Sequence, residues 1–376
     1  MKFVISSSEL LNHLNSISRV INAKNTVAAL DNYLFQLAEN QLKITASDPE
    51  STMITTLALE NAEGEGSITI PARILNNTLK EFPEQPLTFK INDETFNIDL
   101  YSENGKYSIM GQTGEEYPEN RKLNEETSSS ITVNKEVLLN GISKTLFATA
   151  DDELRPVMNG ILLEFGQENL TFVASDAHKL VRYKNKTIKT EVESSFILPK
   201  KPASLLKGLL PKGDENIEIC FDEKSAVFKL SNYTLICCLV EETYPKYNSV
   251  IPINNTNEMI VDRLDLFNSV KRVSVFANQA SNLIKLGIEN NQLVISAQDV
   301  DFSISAIERI KCQYENEKIE IGFKSIFLME ILSNINSADV KVMLADSTRA
   351  GLFVPLEKES DDEEVLMLLM PMMINA

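Results

Sequence analysis

Residues 40–48 read NQLKITASD, and nearly the same phrase returns as ENLTFVASD at 168–176 and as NQLVISAQD at 291–299. The spacings are 128 and 123 residues. A second phrase keeps these offsets: ITIPARIL around Pro71, FILPKKPAS around Pro199 and IEIGFKSIF around Gly322. A third pairs Leu10-Leu11-Asn12 with Leu138-Leu139-Asn140 and returns less cleanly at Leu266-Phe267-Asn268. Three phrases sharing nearly one offset make the chain one unit of about 125 residues written three times, a length suited to a single hydrophobic core. Solenoid and propeller repeats are far shorter, roughly 20–50 residues, so each copy is expected to fold around its own core. Tyr117-Pro118 and Tyr244-Pro245 recur before polar stretches, which places the linkers there and the domains at 1–127, 128–253 and 254–376.

Within each phrase the apolar residues alternate: Leu42, Ile44, Ala46; Leu170, Phe172, Ala174; Leu293, Ile295, Ala297. Period two means a strand with one face in a core. A further alternating run precedes each phrase across a short polar turn, such as Ala38-Glu39-Asn40 or Glu289-Asn290-Asn291, which reads as a hairpin and hence antiparallel sheet. Two segments per copy have helical spacing. The first carries Leu10, Leu14, Ile17 and Ile21, with counterparts at Leu138, Ile142, Leu146 and at Phe267, Val270, Val273. Ser7 or Ser8, Asn134 and Asp262 are its N-cap choices. The second follows the Pro71, Pro199 or Gly322 position: Ile74 to Phe82, Ala203 to Leu210, Ser325 to Ile335. The fold class is α+β, with three repeated domains of antiparallel sheet and two helices each.

At 376 residues and 43% hydrophobic the chain has ordinary soluble-protein composition. No stretch nears the roughly 20 apolar residues that span a bilayer, and MKFVISSSELL lacks the apolar core of a signal peptide. The four cysteines form no CxxC pair and are absent from the first third, which points to a reducing cytoplasm rather than a disulfide framework. No metal and no cofactor is expected. The formal charge of −18 argues against nucleic acid as a partner. Its distribution argues the other way. The six expected helices sum to a net positive charge, led by Lys200, Lys201, Lys207 and Lys212, so the strands and loops are more acidic than the whole. A helix-lined surface of that kind attracts phosphate; lysines decorating exposed helix faces are the plainer explanation.

The segments MKFVISSSELL, NQLKITASD, NGILLE from Asn159, ASDAHKL from Ala174, LVEETYPKY from Leu239 and LLMPM from Leu368 resemble the bacterial DNA polymerase III β-subunit family, the DNA sliding clamps. The resemblance spans the whole chain. It implies the DNA-clamp fold, and a ring-shaped head-to-tail homodimer closed around duplex DNA, which the ring holds without reading its sequence. It implies a processivity factor with no catalysis of its own. The partners would be the polymerase III catalytic subunit, the clamp loader and other replication and repair proteins, each carrying a short linear peptide.

Carried over residue by residue, the partner-peptide pocket comprises Met158, Ser175, Ala177, His178, Lys179 and Leu180. Pro245, Val250 and Ser347 join them, with Leu368, Leu369, Met370, Pro371 and Met372 at the end of the chain. Methionines make an adaptable apolar surface suited to several partners, although a Leu/Met run is also what a core strand looks like. Two positions depart from the family: Ala177 replaces a glycine, and Met373 stands where an arginine is frequent. Lys24 and Arg73 match basic positions of the family's DNA-facing surface, and Lys200, Lys201 and Lys207 join them on charge alone. Pro156 and Val157 replace the family's aromatic pair in the loop before Asn159-Gly160. Tyr107 and Ile109 match one side of the family's dimer seam and Val275 and Phe276 the other; burial inside their own domains is the alternative.

Ser175, Asp176 and His178 suggest hydrolysis, but three neighbours on a strand are badly placed for a triad. Only His13 and His178 exist, and no GxxxxGK[ST] loop is present. A scaffold that never touches DNA is a third reading, opposed by the charge on the helices. The acidic run Glu357, Glu359, Asp361 to Glu364 reads as a solvated loop.

Overall fold

The computed structural model describes residues 1–22, 25, 27–124, 126–191, 193–210, 213 and 215–374. Each copy of the repeat supplies two α-helices at matching places. The first follows the opening strand: α1, Ser7–Ile17; α3, Lys135–Thr145; α5, Arg263–Ser274. The second follows the strand that ends the sheet meander: α2, Ala72–Lys80; α4, Lys200–Leu209; α6, Ser325–Ser333.

In α1 the positions at intervals of four and three, Leu10, Leu14 and Ile17, are buried. Its cap is Ser6, whose side chain accepts from Glu9 N, one residue before the expected serines. Ser7 instead donates to the Pro83 carbonyl. The helix stops at Ile17 and tightens into a 3₁₀ turn, so Ile21 lies outside it. Asn134 Oδ1 accepts from Glu136 N and Asp262 Oδ1 from Asp265 N, as N-caps do.

The hairpin turns have the required chemistry. Glu39 and Asn40 both hold positive φ, 48° and 60°, as do Asn290 and Asn291, 52° and 60°. Two consecutive residues of that kind match the strand twist in a two-residue hairpin. The second repeated phrase is aligned differently from the sequence reading. Strands Gly66–Pro71, Ser194–Pro199 and Ile319–Lys324 each end where a helix begins, so Lys324, not Gly322, is the structural counterpart of Pro71 and Pro199.

All strand pairing among the described residues is antiparallel, and the sheets do not stop at the repeat boundaries. The chain divides into two compact units, Met1–Leu139 with Lys201–Leu239, and Asn140–Lys200 with Val240–Ala376. In the first unit a five-stranded sheet runs from Ala62–Glu63 to its open edge at Lys106–Met110. A nine-stranded sheet continues from the first copy into the second where Ser51–Ala58 pairs with Tyr233–Cys238, Thr55 opposite Tyr233. In the second unit an eight-stranded sheet crosses from second copy to third where Lys179–Asn185 pairs with Glu363–Leu369. A four-stranded sheet has its open edge at Ile304–Lys311.

The alternating residues fill the core: Leu42, Ile44, Ala46, Leu170, Phe172 and Ala174 are fully buried. The strand Leu170–Ser175 is buried on both faces. Its second face, through Val173, belongs to a cluster with Leu162, Leu180, Leu352, Leu366 and Leu368, on which the candidate site is built.

Candidate functional site

The turn Ser175–Lys179 joins two strands of the eight-stranded sheet and is held by its own side chains. Asp176 Oδ1 accepts from the N–H groups of His178 (2.9 Å) and Lys179 (2.8 Å). Ser175 Oγ donates to the Lys179 carbonyl (2.9 Å) and accepts from Ala177 N (3.2 Å). The hydroxyl is thus spent on backbone and the carboxylate on backbone and the Lys179 ammonium, and Ser175, Asp176 and His178 form no nucleophile–base pair among the described residues. Ala177 sits at φ 72°, in the left-handed region that suits glycine better than alanine. The turn leaves Ala177 and His178 exposed and lays the His178 ring on Phe327 of α6, centroids 5.4 Å apart and planes 23° apart.

Beside the turn runs the last strand. Leu180 opposes Leu368 and Lys179 opposes Leu369, and all four are buried. The strand is internal, flanked by Lys179–Asn185 and Gly351–Pro355. Leu368 and Leu369 therefore serve as core and floor at once. Beyond them Met370 is 43% exposed, its N–H donating to the His178 carbonyl at 2.8 Å. Met372 donates to the Gly322 carbonyl at 2.8 Å. Met158, Tyr244 and Ile251 pack against the floor cluster. Pro245 and Val250 lie exposed in the same connector, and Ser347 in the exposed turn before Ala350. His178 and Met370 are thus exposed beside a buried apolar cluster, and Val250 is exposed in the connector next to Ile251, which packs on that cluster.

Lys179 is not on the rim. Its side chain is 5% exposed, and its ammonium lies 2.7 Å from Asp176, 2.9 Å from Glu330 and 4.5 Å from the Phe327 centroid. Its charge is thus matched by two carboxylates within the protein. The sequence reading missed Phe327, Glu330 and Lys324, whose ammonium lies 5.0 Å from the Phe327 centroid. Nothing in the local pattern marks them, because only the pairing of residues 179–185 with 363–369 gives α6 this neighbour.

Successive parts of the chain match the DNA polymerase III β-subunit family: its N-terminal domain at residues 1–121, its central domain at 132–246 and its C-terminal domain at 248–373. The chain belongs to that family. The β sliding clamp of Synechococcus elongatus is 28% identical over 367 residues, 95% of this chain and 96% of that one. That of Pseudomonas aeruginosa is 27% identical over 373 residues, 99% of this chain and 100% of that one. Among solved structures, a P. aeruginosa sliding clamp bound to griselimycin superposes with a TM-score of 0.93 at 25% identity, covering both chains fully. The β subunit from Thermotoga maritima shares the fold at a TM-score of 0.90 and 23% identity, again over the whole of both chains. As a member of this family the protein is a processivity factor, an accessory subunit of DNA polymerase III rather than an enzyme.

The positions that a clamp would present to DNA fare unequally. Lys24 lies outside the described residues. Arg73 on α2 and Lys207 on α4 are exposed and carry no ion pair among the described residues. Lys200 is paired with Asp151 at 2.6 Å. Lys201 donates to the Val20 carbonyl, the Asn22 side chain and the carboxylate of Asp48, itself buried. Three oxygen partners hold the Lys201 ammonium in place. At the expected seam positions Val275 is 74% exposed, Phe276 38% and Tyr107 43%. Ile109 is instead buried, opposite Ile98 in its own sheet.

Proposed function

We propose that two copies of this chain close head to tail, the sheet edge Lys106–Met110 of one meeting the edge Ile304–Lys311 of the other. The observation that carries this is a pair of open edges in one chain, each rimmed by exposed apolar residues: Tyr107 and Met110 on one side, Ile304, Ile307, Val275 and Phe276 on the other. Open apolar edges of this kind are ordinarily covered. A heterologous contact whose rotation closes gives a ring. DNA passes through it, met by Arg73 and Lys207 on the helices and held by topology rather than base contacts. The domains follow the boundaries 1–127, 128–253 and 254–376, and the protein works in the cytoplasm, where its four free cysteines stay reduced.

The pocket between His178, Val250 and Met370, floored by Leu180 and Leu368, takes the short peptide through which the polymerase, the clamp loader and repair proteins are tethered. Tethering raises the local concentration of an enzyme at DNA and must be reversible and shared. Griselimycin, bound by the P. aeruginosa clamp, is taken to occupy the same pocket here. The decisive experiment is retention on nicked circular DNA after loading. The ring predicts that the protein stays until the circle is linearised and then runs off; equal loss from circular and linear DNA would overturn it.

A further inference from the structure

We propose that Lys179 is a positioning residue, an internal ion lock that holds the pocket's strained turn in its binding shape without touching the ligand. The inference rests on the pocket reading above. Ala177 occupies a left-handed conformation that an L-residue with a Cβ adopts reluctantly. Such a turn persists only where its surroundings over-determine it. Here they do so through one carboxylate. Asp176 Oδ1 gathers the His178 and Lys179 amides, and Oδ2 accepts from Lys179 Nζ at 2.7 Å. The same ammonium lies 2.9 Å from Glu330 Oε2, so it ties the turn to α6. Phe327, one turn earlier on α6, takes the ammonium near its ring and the His178 ring alongside.

The charges explain why the lock acts through Asp176. Lys179 lies between two carboxylates in a site where its own side chain is 5% exposed. Without it, Asp176 and Glu330 are left as two like charges with no cation between them. Glu330, 42% exposed, already reaches water, whereas Asp176, 13% exposed, is left a largely buried carboxylate with no cation; it turns toward water and drops the two amides that define the turn. Ala177 relaxes, and His178 leaves Phe327.

The test uses the full-length chain with griselimycin as probe, followed by calorimetry. Because the chain has only two histidines, ring-labelled histidine gives separate His178 and His13 signals. Lys179→Met is expected to weaken griselimycin about tenfold, as a binding-competent fraction of one tenth would. The His178 resonance should move away from its Phe327-stacked position while the His13 resonance and the dimer stay unchanged. Lys179→Arg, which keeps the charge, should restore both. Glu330→Gln leaves the sheet untouched, should move the His178 signal in the same direction, and decides the matter if Lys179→Met does not fold. Wild-type affinity in Lys179→Met, lost affinity with an unmoved His178 signal, or an unchanged Glu330→Gln would each overturn the lock. Met370→Ala with Met372→Ala separates the two readings. If that variant loses griselimycin while Lys179→Met keeps it, only the lock fails; if it binds like wild type, the pocket itself is misplaced.

Discussion

Met370 donates its backbone N–H to the carbonyl of His178 at 2.8 Å. This one bond joins the exit of the last strand to the turn of the second repeat. The methionine wall and the histidine rim of the pocket are therefore set by the same backbone, and the wall is pinned a second time where Met372 donates to Gly322.

Replacing Met370 and Met372 by alanine removes the wall and keeps both backbone bonds. Binding of a polymerase-derived peptide should weaken by about 2–4 kcal/mol, the usual effect of truncating anchor side chains. Dimer size by light scattering should not change, because Tyr107 and Phe276 are left intact. Undiminished peptide binding in fluorescence anisotropy would place the pocket elsewhere.

Gly322 leaves room for the tail. A Cβ there would sit 2.8 Å from the Met372 carbonyl oxygen and 2.9 Å from Leu283 Cδ1. Gly322→Ala should detach the tail, with an overpacking penalty of about 1–3 kcal/mol. Its expected signature is weaker peptide binding together with faster amide exchange at Met372, read by hydrogen exchange.

Val275 and Phe276 are exposed in the single chain, whereas Ile109 is buried, so the seam is best probed from the exposed side. Phe276→Asp and Tyr107→Asp should each give folded monomers at micromolar concentration, since an unpaired charge in a covered interface costs several kcal/mol. Ile109→Asp should instead unfold the first domain. A Phe276→Asp protein that remains dimeric in light scattering would refute this seam.

Among the lysines and arginines, Arg73→Glu and Lys207→Glu should weaken direct DNA binding and flatten its salt dependence. The log–log slope should fall by about one unit for each phosphate no longer neutralised. Lys201→Met should act on stability instead. It strips Asp48 of its cation and should lower stability by about 1–3 kcal/mol, with DNA affinity of the folded protein unaltered. Chemical denaturation and salt titrations separate the two effects.

His13 supplies a pH dependence. Burial holds its pKa below the ordinary 6.5, opposed by the Glu9 carboxylate, and its Nδ1 is 2.6 Å from Thr55 Oγ1. A base with a depressed folded-state pKa binds fewer protons folded than unfolded. Its stabilising effect is complete above pH 6.5 and fades as pH falls through the folded-state value. The melting temperature should therefore drop between pH 7 and 5.5 more steeply in wild type than in His13→Gln. Parallel curves would rule out His13 as the source.

Much of this was legible in residues 40–48 and their two echoes. Alternation of Leu42, Ile44 and Ala46 specifies a strand because the side-chain period of a strand is two, and the two-residue turns at Glu39-Asn40 and Asn290-Asn291 follow from adjacent positive φ angles. The helices of each copy could be placed from the spacing of Leu10, Leu14 and Ile17, with an error of one residue at the cap because three serines compete there. The misalignment of Gly322 with the prolines arose because shape, not identity, is repeated at the strand end.

What a sequence pattern determines is local: which residues share a face, where a turn must bend, which element repeats. What it leaves open is which faces and edges meet. That Glu363–Leu369 pairs with Lys179–Asn185, that Lys201 is taken by Asp48 and Lys179 by Asp176 and Glu330, and that Ile109 is buried while Phe276 is not were decided only by the tertiary structure. The reason is physical. A side chain's periodicity is written in its neighbours along the chain, but its partners are chosen by packing and charge across strands that lie far apart in sequence.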